Sequence, residues 1–513
     1  MIDLTKSLTA VLLAAFACLP GAFGTPGQDD EIVKEFNQYF RKYKDTPTRV
    51  EAVLSLEGTD SPAVVQALVP VLKQGEPEVI RAAVRVLGRL KNAPAIEAVL
   101  AELSTSKDAP TKSALLQAVA EGRYPGSAEP LTALLTDKVW DVRRRAVQAL
   151  AALGDPVHAP AIAPLTADGE PAVRCAALEG LGKLGSELAV QPALASLSDS
   201  VWQVRASAVE ALKRVRRREA IGPLIERMAL EQGRLVADIG VALADLTGRN
   251  FGERTEAWQR FWETYKDRFQ IPTDAELAKL RERQAESAAV YHPPGSVSYH
   301  GIETPSRSIL FIIDVSGSME ALVVERERFQ DGGYPSLARI DIVKTELART
   351  VEKLEPYVQF NILSFATDVK SWKKGLVGAN VLNKSSAMDW VNRLQAIGGS
   401  SKEDLARAGL VGSANLEAGK TNTYAALITG LGAAGQGSKD PSYQVAVDTI
   451  FFLSDGRPSH GDYVDPQDIL REVRTANELR KVVIHTIAIG EFQKEFMKQL
   501  ADENGGVFVD LGR

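Results

Sequence analysis

The sequence has little cysteine and no apolar run long enough to cross a membrane. Its two cysteines, Cys18 and Cys175, lie far apart, and the first lies in a segment that we expect to be removed. No intrachain disulfide is therefore expected, and Cys175 is interpreted as a small buried side chain. The apolar stretch from Leu8 to Leu19, 12 residues, is shorter than the roughly 20 residues that a membrane-spanning helix needs.

Histidine is also scarce, and its spacing argues against an enzyme. No two histidines form a His-x-x-x-His pair, and none forms a His-Glu pair, so we expect no catalysis of the protein's own. His460, five residues after Asp455, is the only candidate for a general base, and a metal-dependent hydrolase is kept as a weaker alternative. The five histidines are His158, His292, His300, His460 and His485.

Neither sign of charge dominates the chain. The formal charge is −6 and the isoelectric point is about 5.7, so the sequence predicts no nucleic-acid partner. With 45% hydrophobic and 25% charged residues, the composition is that of an ordinary globular protein. A chain of 513 residues is too long for one core, and two or three domains are expected.

The amino-terminal segment, residues 1–24, has the pattern of an export signal. Lys6 precedes the apolar stretch, and Ala22-Phe23-Gly24 provides a small-residue cleavage site. We expect a secreted or periplasmic protein with no membrane span after the signal is removed. An uncleaved anchor and a lipidated Cys18 stay open as alternatives.

From about residue 45 to residue 247 the sequence repeats every 31 residues. A fixed period of this size is typical of a stacked array of helical units, in which each unit buries its apolar face against its neighbours. The pattern resembles the HEAT-repeat family and predicts an all-α solenoid over residues 30–271. Trp258, Phe261 and Trp262 are expected to cover its last apolar face. The clearest periodic positions are Leu150, Leu181, Leu212 and Leu243.

Acidic and basic residues follow the same period. An aspartate comes six residues before an arginine in three units, an arrangement that resembles the ladder linking successive HEAT repeats. We interpret it as structural. The pairs are Asp137 and Arg143, Asp168 and Arg174, and Asp199 and Arg205. After the array, residues 272–295 are predicted to form a charged helical linker that begins at the capping-box pair Thr273 and Glu276.

Beyond residue 296 the pattern changes to alternating strands and helices. Such alternation predicts an α/β doubly wound domain with a mainly parallel sheet, over residues 296–513. The apolar runs that we interpret as strands lie near residues 309–313, 358–364, 447–453, 482–489 and 507–510.

Polar side chains follow two of these strands. Asp314, Ser316 and Ser318 come at the end of the first run, and Asp455 follows the run that ends at Leu453. Ligands bind at the carboxyl ends of strands in such sheets, and oxygen donors suit a hard cation. The sequence therefore predicts a divalent-metal site, Mg²⁺ first, with Mn²⁺ or Ca²⁺ as alternatives.

This constellation resembles the metal-ion-dependent adhesion site of von Willebrand factor type A (VWA) domains. The stretch Phe311-Ile-Ile-Asp-Val-Ser-Gly-Ser-Met319 has that family's motif without a break. The resemblance implies that Ser316 and Ser318 bind the ion directly and that Asp314 and Asp455 act largely through water. Thr421 completes the implied ligand set, by aligning Gly419-Lys420-Thr421 with the family's Gly-Gly-Thr, although Thr423 lies two residues on.

The expected function is metal-dependent protein interaction or adhesion, in which an open position on the ion accepts an Asp or Glu of a protein partner. The solenoid would provide a second binding surface. An assembly or chaperone-like factor that presents clients to a separate ATPase is the alternative. Two extra stretches, residues 320–337 and 400–420, are expected on the rim of the site, where they would either tune specificity or cover the ion. The sequence does not indicate the partner's identity or the oligomeric state.

Overall fold

The computed structural model describes residues 26–287, 297–397, 419–433, 447–455, 457–490 and 494–511. The expected export signal lies outside the described residues, as do the end of the linker and most of the second extra stretch. The chain divides into two compact units, Met1–Ile162 and Ala163–Arg513. This division falls within the repeats, so the domain boundaries expected from the sequence stay a prediction.

Helices make up the described part of the first unit. Several begin where the sequence provides a cap: the side chain of Asp45 accepts a hydrogen bond from the Thr48 amide (3.0 Å), and that of Asp108 accepts one from the Thr111 amide (2.9 Å). Their apolar faces pack together and are buried. The helices are Pro26–Lys42, Thr46–Leu54, Pro62–Gln74, Pro77–Leu87, Ala93–Thr105, Ala109–Gly122, Ala128–Leu134, Trp140–Leu153 and Ala159–Ile162.

The second unit begins with further helical repeats. Trp258 and Phe261 are buried against the last repeat and cover its apolar face, as predicted. The capping box is also present, since the Thr273 amide donates to Glu276 Oε2 (2.7 Å) and the Glu276 amide donates to Thr273 Oγ1 (3.3 Å). The helices are Pro171–Lys183, Val190–Ser196, Trp202–Val215, Ile221–Met228, Arg234–Thr247, Thr255–Tyr265 and Asp274–Ser287.

The predicted ladder of acids and arginines is confirmed in the second unit. Arg174 donates to both carboxylate oxygens of Asp199 in the next repeat (2.8 and 3.0 Å) and to the backbone oxygen of Asp168 (2.9 Å). Arg205 repeats the pattern with Glu231 and with the Asp199 backbone oxygen. Each arginine therefore joins two repeats through partly buried, charge-assisted hydrogen bonds.

Nine strands follow in the second unit's described residues. The strands are β1 Val297–Tyr299, β2 Ile302–Thr304, β3 Ser308–Asp314, β4 Gln359–Phe365, β5 Val369–Ser371, β6 Val377–Gly378, β7 Thr449–Ser454, β8 Val483–Ala488 and β9 Phe508–Asp510. Five of them, β3, β4, β7, β8 and β9, pair in parallel, and their positions confirm the five predicted strands. The sheet order is β5-β4-β3-β7-β8-β9, with β6 also on β4, while β1 and β2 form a separate hairpin.

Helices cover both faces of this sheet, as a doubly wound fold requires. Alternate residues of β3 point into different layers: Phe311 packs with one hydrophobic cluster, whereas Leu310 and Ile312 pack with the other. All of β3 is buried, which explains its continuous apolar run. The helices are Arg326–Phe329, Arg339–Lys353, Val381–Asn392, Thr423–Ala433, Pro466–Asn477 and Lys494–Glu503.

Within the second unit, the repeats contact the amino-terminal edge of the sheet. Lys481, two residues before β8, forms an ion pair with Glu179 of a repeat helix. Arg307, directly before β3, donates to the side chain of Gln232 (2.7 Å). Since parallel strands begin at one edge and end at the other, these contacts lie opposite the carboxyl ends where Asp314 and Asp455 are found.

None of the described helices is both long enough and apolar enough to span a lipid bilayer.

Candidate functional site

Three loops meet at the carboxyl ends of β3 and β7. The first, after β3, carries Ser316 and Ser318 and continues into a short 3₁₀ turn, Gly317–Glu320. The amide of Gly317 donates to the backbone oxygen of Gly419 (3.1 Å), which ties the first loop to the second. The amide of Ser459 in the third loop donates to the backbone oxygen of Thr421 (3.0 Å). Backbone hydrogen bonds therefore bring together three segments that are distant in sequence.

Asp314, the last residue of β3, is fully buried and hydrogen-bonded at both carboxylate oxygens. The Ser316 amide donates to Oδ1 (2.8 Å), and the Ser454 hydroxyl donates to Oδ2 (2.5 Å). Burial, together with the nearby charge of Asp455, raises the pKa of Asp314 to about 7. A cation bound in this position would favour the ionised carboxylate.

Asp455 is the other buried carboxylate of the site. Ser318 Oγ donates to its Oδ1 (2.8 Å), and Ser318 Oγ also lies 3.2 Å from Ser316 Oγ. The structure thus joins Asp314, Ser316, Ser318 and Asp455 in one hydrogen-bonded group, although Asp314 and Asp455 are 141 positions apart in the sequence.

Thr421 lies on the second loop and is buried. Its amide donates to Ser459 Oγ (3.0 Å), so its backbone is fixed next to the third loop. The alternative threonine, Thr423, begins the helix Thr423–Ala433, and its buried hydroxyl has no hydrogen-bond partner among the described residues. Both threonines therefore stay candidates for the metal site, with Thr421 the predicted one.

Two contributors to the site were not predicted from the sequence. Ser454 precedes Asp455, and its position at the end of a buried strand was the available signal. Arg339 forms an ion pair with Asp455, with its Nη1 2.5 Å from Oδ2. It is the first residue of the helix Arg339–Lys353, where the helix dipole disfavours a positive charge, and this unfavourable placement was the signal that could have revealed it.

The donor set fits a hard divalent cation. Apart from Arg339, which pairs with Asp455, the side chains that converge are carboxylates and hydroxyls, the oxygen ligands that Mg²⁺ and Ca²⁺ take. No group of three or more His, Cys, Asp or Glu residues suited to a metal ion occurs in the described part of the chain. An ion at this position would therefore depend on the serine hydroxyls in addition to the two carboxylates.

The first extra stretch, residues 320–337, packs beside the site on the helix Arg339–Lys353. Its two ends are joined by the Val323 amide, which donates to the Leu337 oxygen (3.0 Å). Tyr334 donates to Glu346 (2.9 Å), and Arg349 donates to the backbone oxygen of Gly332 (2.7 Å). These bonds attach the stretch to the outer part of the helix. Most of the second stretch lies outside the described residues.

His460, the residue considered as a general base, lies in the third loop one residue after Ser459 and is half-buried.

Comparison with known families matches both parts of the chain. The HEAT repeat family matches residues 34–120, 96–169 and 159–244. The von Willebrand factor type A domain family matches residues 331–510. The HEAT ranges agree with the helical repeats. The VWA range includes strands β4 to β9 of the doubly wound sheet but neither β3 nor the motif from Asp314 to Ser318.

The chain is also similar to heavy chains of inter-alpha-trypsin inhibitor. It is 27% identical over 210 residues to human inter-alpha-trypsin inhibitor heavy chain H4, a match that covers 40% of this chain and 18% of that protein. It is 27% identical over 204 residues to heavy chain H1 of Mesocricetus auratus, covering 39% and 18%. The matched region is therefore less than a fifth of each relative.

Solved structures give partial matches. The PilB minor pilin from Streptococcus sanguinis matches with 14% identity and a TM-score of 0.28, covering 42% of this chain and 60% of the pilin. The complex of CpcE and CpcF of phycocyanin lyase from Nostoc matches with 19% identity and a TM-score of 0.27, covering 48% and 97%. From the two family matches, the chain contains HEAT repeats over residues 34–244, followed by a von Willebrand factor type A domain over residues 331–510.

Proposed function

We propose that the protein is an exported, divalent-metal-dependent protein-interaction module. Its HEAT repeats and VWA domain support a role in protein interaction. The observation that carries the metal dependence is the hydrogen-bonded group of Asp314, Ser316, Ser318 and Asp455 at the carboxyl edge of the sheet.

In this proposal the hydroxyls of Ser316 and Ser318 hold the ion, and Thr421, Asp314 and Asp455 complete the site. The bound ion supplies a hard Lewis acid that accepts a carboxylate oxygen of an Asp or Glu on the partner. Neutral hydroxyls close to the ion leave part of its charge uncompensated, which favours an anionic ligand. The proposal includes no catalysis of the protein's own.

Export is supported by the amino-terminal pattern of Lys6, the apolar stretch and Ala22-Phe23-Gly24. It places the protein outside the cytoplasm, where the repeats provide a second surface for the partner. Mass spectrometry of the mature protein tests this part, because a product that begins near residue 25 is expected and one that still begins at Met1 would contradict cleavage.

The metal site is tested by calorimetric titration of the full chain with Mn²⁺ and Mg²⁺. We expect one bound ion, and we expect Asp314→Ala to abolish binding because it removes a carboxylate from the centre of the group. Asp314→Asn keeps the side-chain volume and should show the same loss. Asp368→Ala, which changes an exposed aspartate, is the matched control and should bind like the wild type. Equal affinity in the wild type and both Asp314 variants would rule out the site.

The partner is tested by affinity capture with the full chain as bait, in the presence of Mg²⁺ or of a chelator. We expect a protein that is captured only with Mg²⁺ and that Asp314→Asn does not capture. Capture that is the same with and without the chelator would contradict metal dependence.

A further inference from the structure

Arg339 is held in a buried position next to the candidate metal site. Its side chain is 10% exposed, and the carboxylate of Asp455 with which it pairs is 0% exposed. Ser318 donates to the other oxygen of the same carboxylate. Both oxygens of Asp455 are therefore engaged by donors from the protein, one of them a permanent positive charge.

The backbone around Arg339 leaves room for the guanidinium group. A Cβ atom at Gly490 would lie 3.4 Å from Arg339 Cζ and 2.9 Å from the backbone oxygen of Asp455. The Nε of Arg339 is buried and has no hydrogen-bond partner among the described residues. A buried donor without a partner costs stability. Arg339 nevertheless pairs with Asp455, although this position leaves its set of hydrogen bonds incomplete.

The charge of Arg339 acts against a divalent cation. Asp314 and Asp455 together carry a formal charge of about −2 when ionised, and the guanidinium reduces it to about −1. An arriving ion must share Asp455 with Arg339 and is repelled by it. Because the site is buried, solvent screens this repulsion less than it would at the surface.

We propose that Arg339 is a resident counter-cation that competes with the divalent ion for Asp455 and so sets the affinity of the metal site. The inference rests on the proposed function of this site as a metal site. Weakened binding would make the occupancy of the site respond to the ion concentration instead of remaining saturated. A purely structural role for Arg339, as a tie between its helix and the third loop, gives the opposite expectation, because losing the tie would loosen the ligands and weaken binding.

The test is calorimetric titration of the full chain with Mn²⁺. Arg339→Gln removes the charge and keeps an amide donor, Arg339→Met removes both, and Arg339→Lys keeps the charge. We expect the Gln and Met variants to bind Mn²⁺ on the order of tenfold more tightly than the wild type, and Arg339→Lys to stay within about threefold of it. Arg474→Met, which changes an exposed arginine that pairs with Glu503, should leave the affinity unchanged.

The outcomes separate this inference from the proposed function. Metal binding that Asp314→Asn abolishes and that Arg339→Gln leaves unchanged or weaker would overturn the inference and leave the metal site standing. Binding that appears only in the neutral variants would support the inference in its strongest form. No binding in the wild type or in either neutral variant would overturn both. If Arg339→Met does not fold, Arg339→Gln carries the test, and circular dichroism of each variant checks the fold.

Discussion

At the scale of single residues, Ser454 and Gly490 determine how closely the two carboxylates of the site are held. Ser454 donates its hydroxyl proton to Asp314 (2.5 Å), and the absent side chain at residue 490 leaves space beside Asp455 and Arg339. Both are small residues: Ser454 is the last residue of β7, and Gly490 lies two residues after the end of β8. Their contribution is to position the acids, since neither carries the charge that would attract an ion.

Gly490→Ala is expected to destabilise the protein by about 1–3 kcal/mol, because the new methyl group would lie too close to the Asp455 backbone oxygen and force the third loop to move. The same displacement should weaken Mn²⁺ binding. Thermal unfolding followed by calorimetry measures the first effect and titration the second. Gly375→Ala is the control, since a Cβ there meets no atom within 4 Å. If both variants were equally stable, the close packing at Gly490 would be refuted.

At the scale of the elements, the sequence indicates the strands and repeats well because each carries a periodic signal. A fully buried parallel strand is a continuous apolar run, as in β3, and a stacked repeat keeps its apolar positions at a fixed spacing. Parallel strands all end at the same edge of a sheet, so the positions of Asp314 and Asp455 at the carboxyl edge could also be predicted. Arg339 has no periodic signal, because residues 320–338 separate it from the motif and its partner is 116 residues away. An ion pair between residues so far apart in sequence depends on how the loops pack in the folded protein.

In the ladder between the repeats, a single acid bonds to two structural elements. The carboxylate of Asp199 pairs with Arg174 and accepts a hydrogen bond from the Val201 amide (2.8 Å) at the start of the next helix. Asp199→Ala would therefore leave a partly buried arginine without its acid and would remove a turn hydrogen bond.

We expect Asp199→Ala to lower the free energy of unfolding by about 2–4 kcal/mol. Glu187→Ala, which removes an exposed partner of Arg217, should change it by less than about 1 kcal/mol. Urea unfolding of the full chain, followed by far-ultraviolet circular dichroism, compares the two. A similar small effect of both substitutions would show that the ladder does not stabilise the repeats.

At the scale of the whole molecule, buried histidines make the stability depend on pH. Burial, and to a lesser extent the charge of Arg234, lowers the pKa of His485 from 6.5 to about 4. Its Nδ1 accepts a hydrogen bond from the Val507 amide (3.0 Å), which requires the unprotonated nitrogen. Burial lowers the pKa of His300 to about 4 as well.

The unfolded chain therefore takes up protons that the folded chain does not, as the pH falls below about 6.5. The contribution of these histidines to the free energy of unfolding is complete above that pH and is lost between about pH 6.5 and pH 4, by about 2 kcal/mol for His485 alone at pH 5. We expect His485→Gln to reduce the difference between the thermal midpoints at pH 7 and pH 5. An unchanged difference would mean that His485 is not responsible.

The contact between the repeats and the amino-terminal edge of the sheet has a mechanical consequence. Lys481 and Arg307 hold that edge, while the candidate metal site lies at the opposite ends of β3 and β7. A partner bound to the ion would pull on one end of the strands while the repeats hold the other end. This tension would run along the strands and load all their hydrogen bonds in shear at the same time. A force that peels an edge strand from the sheet would instead break the hydrogen bonds one after another. Single-molecule pulling along these two directions should show a higher rupture force for the first, and equal forces would exclude this mechanical role of the sheet.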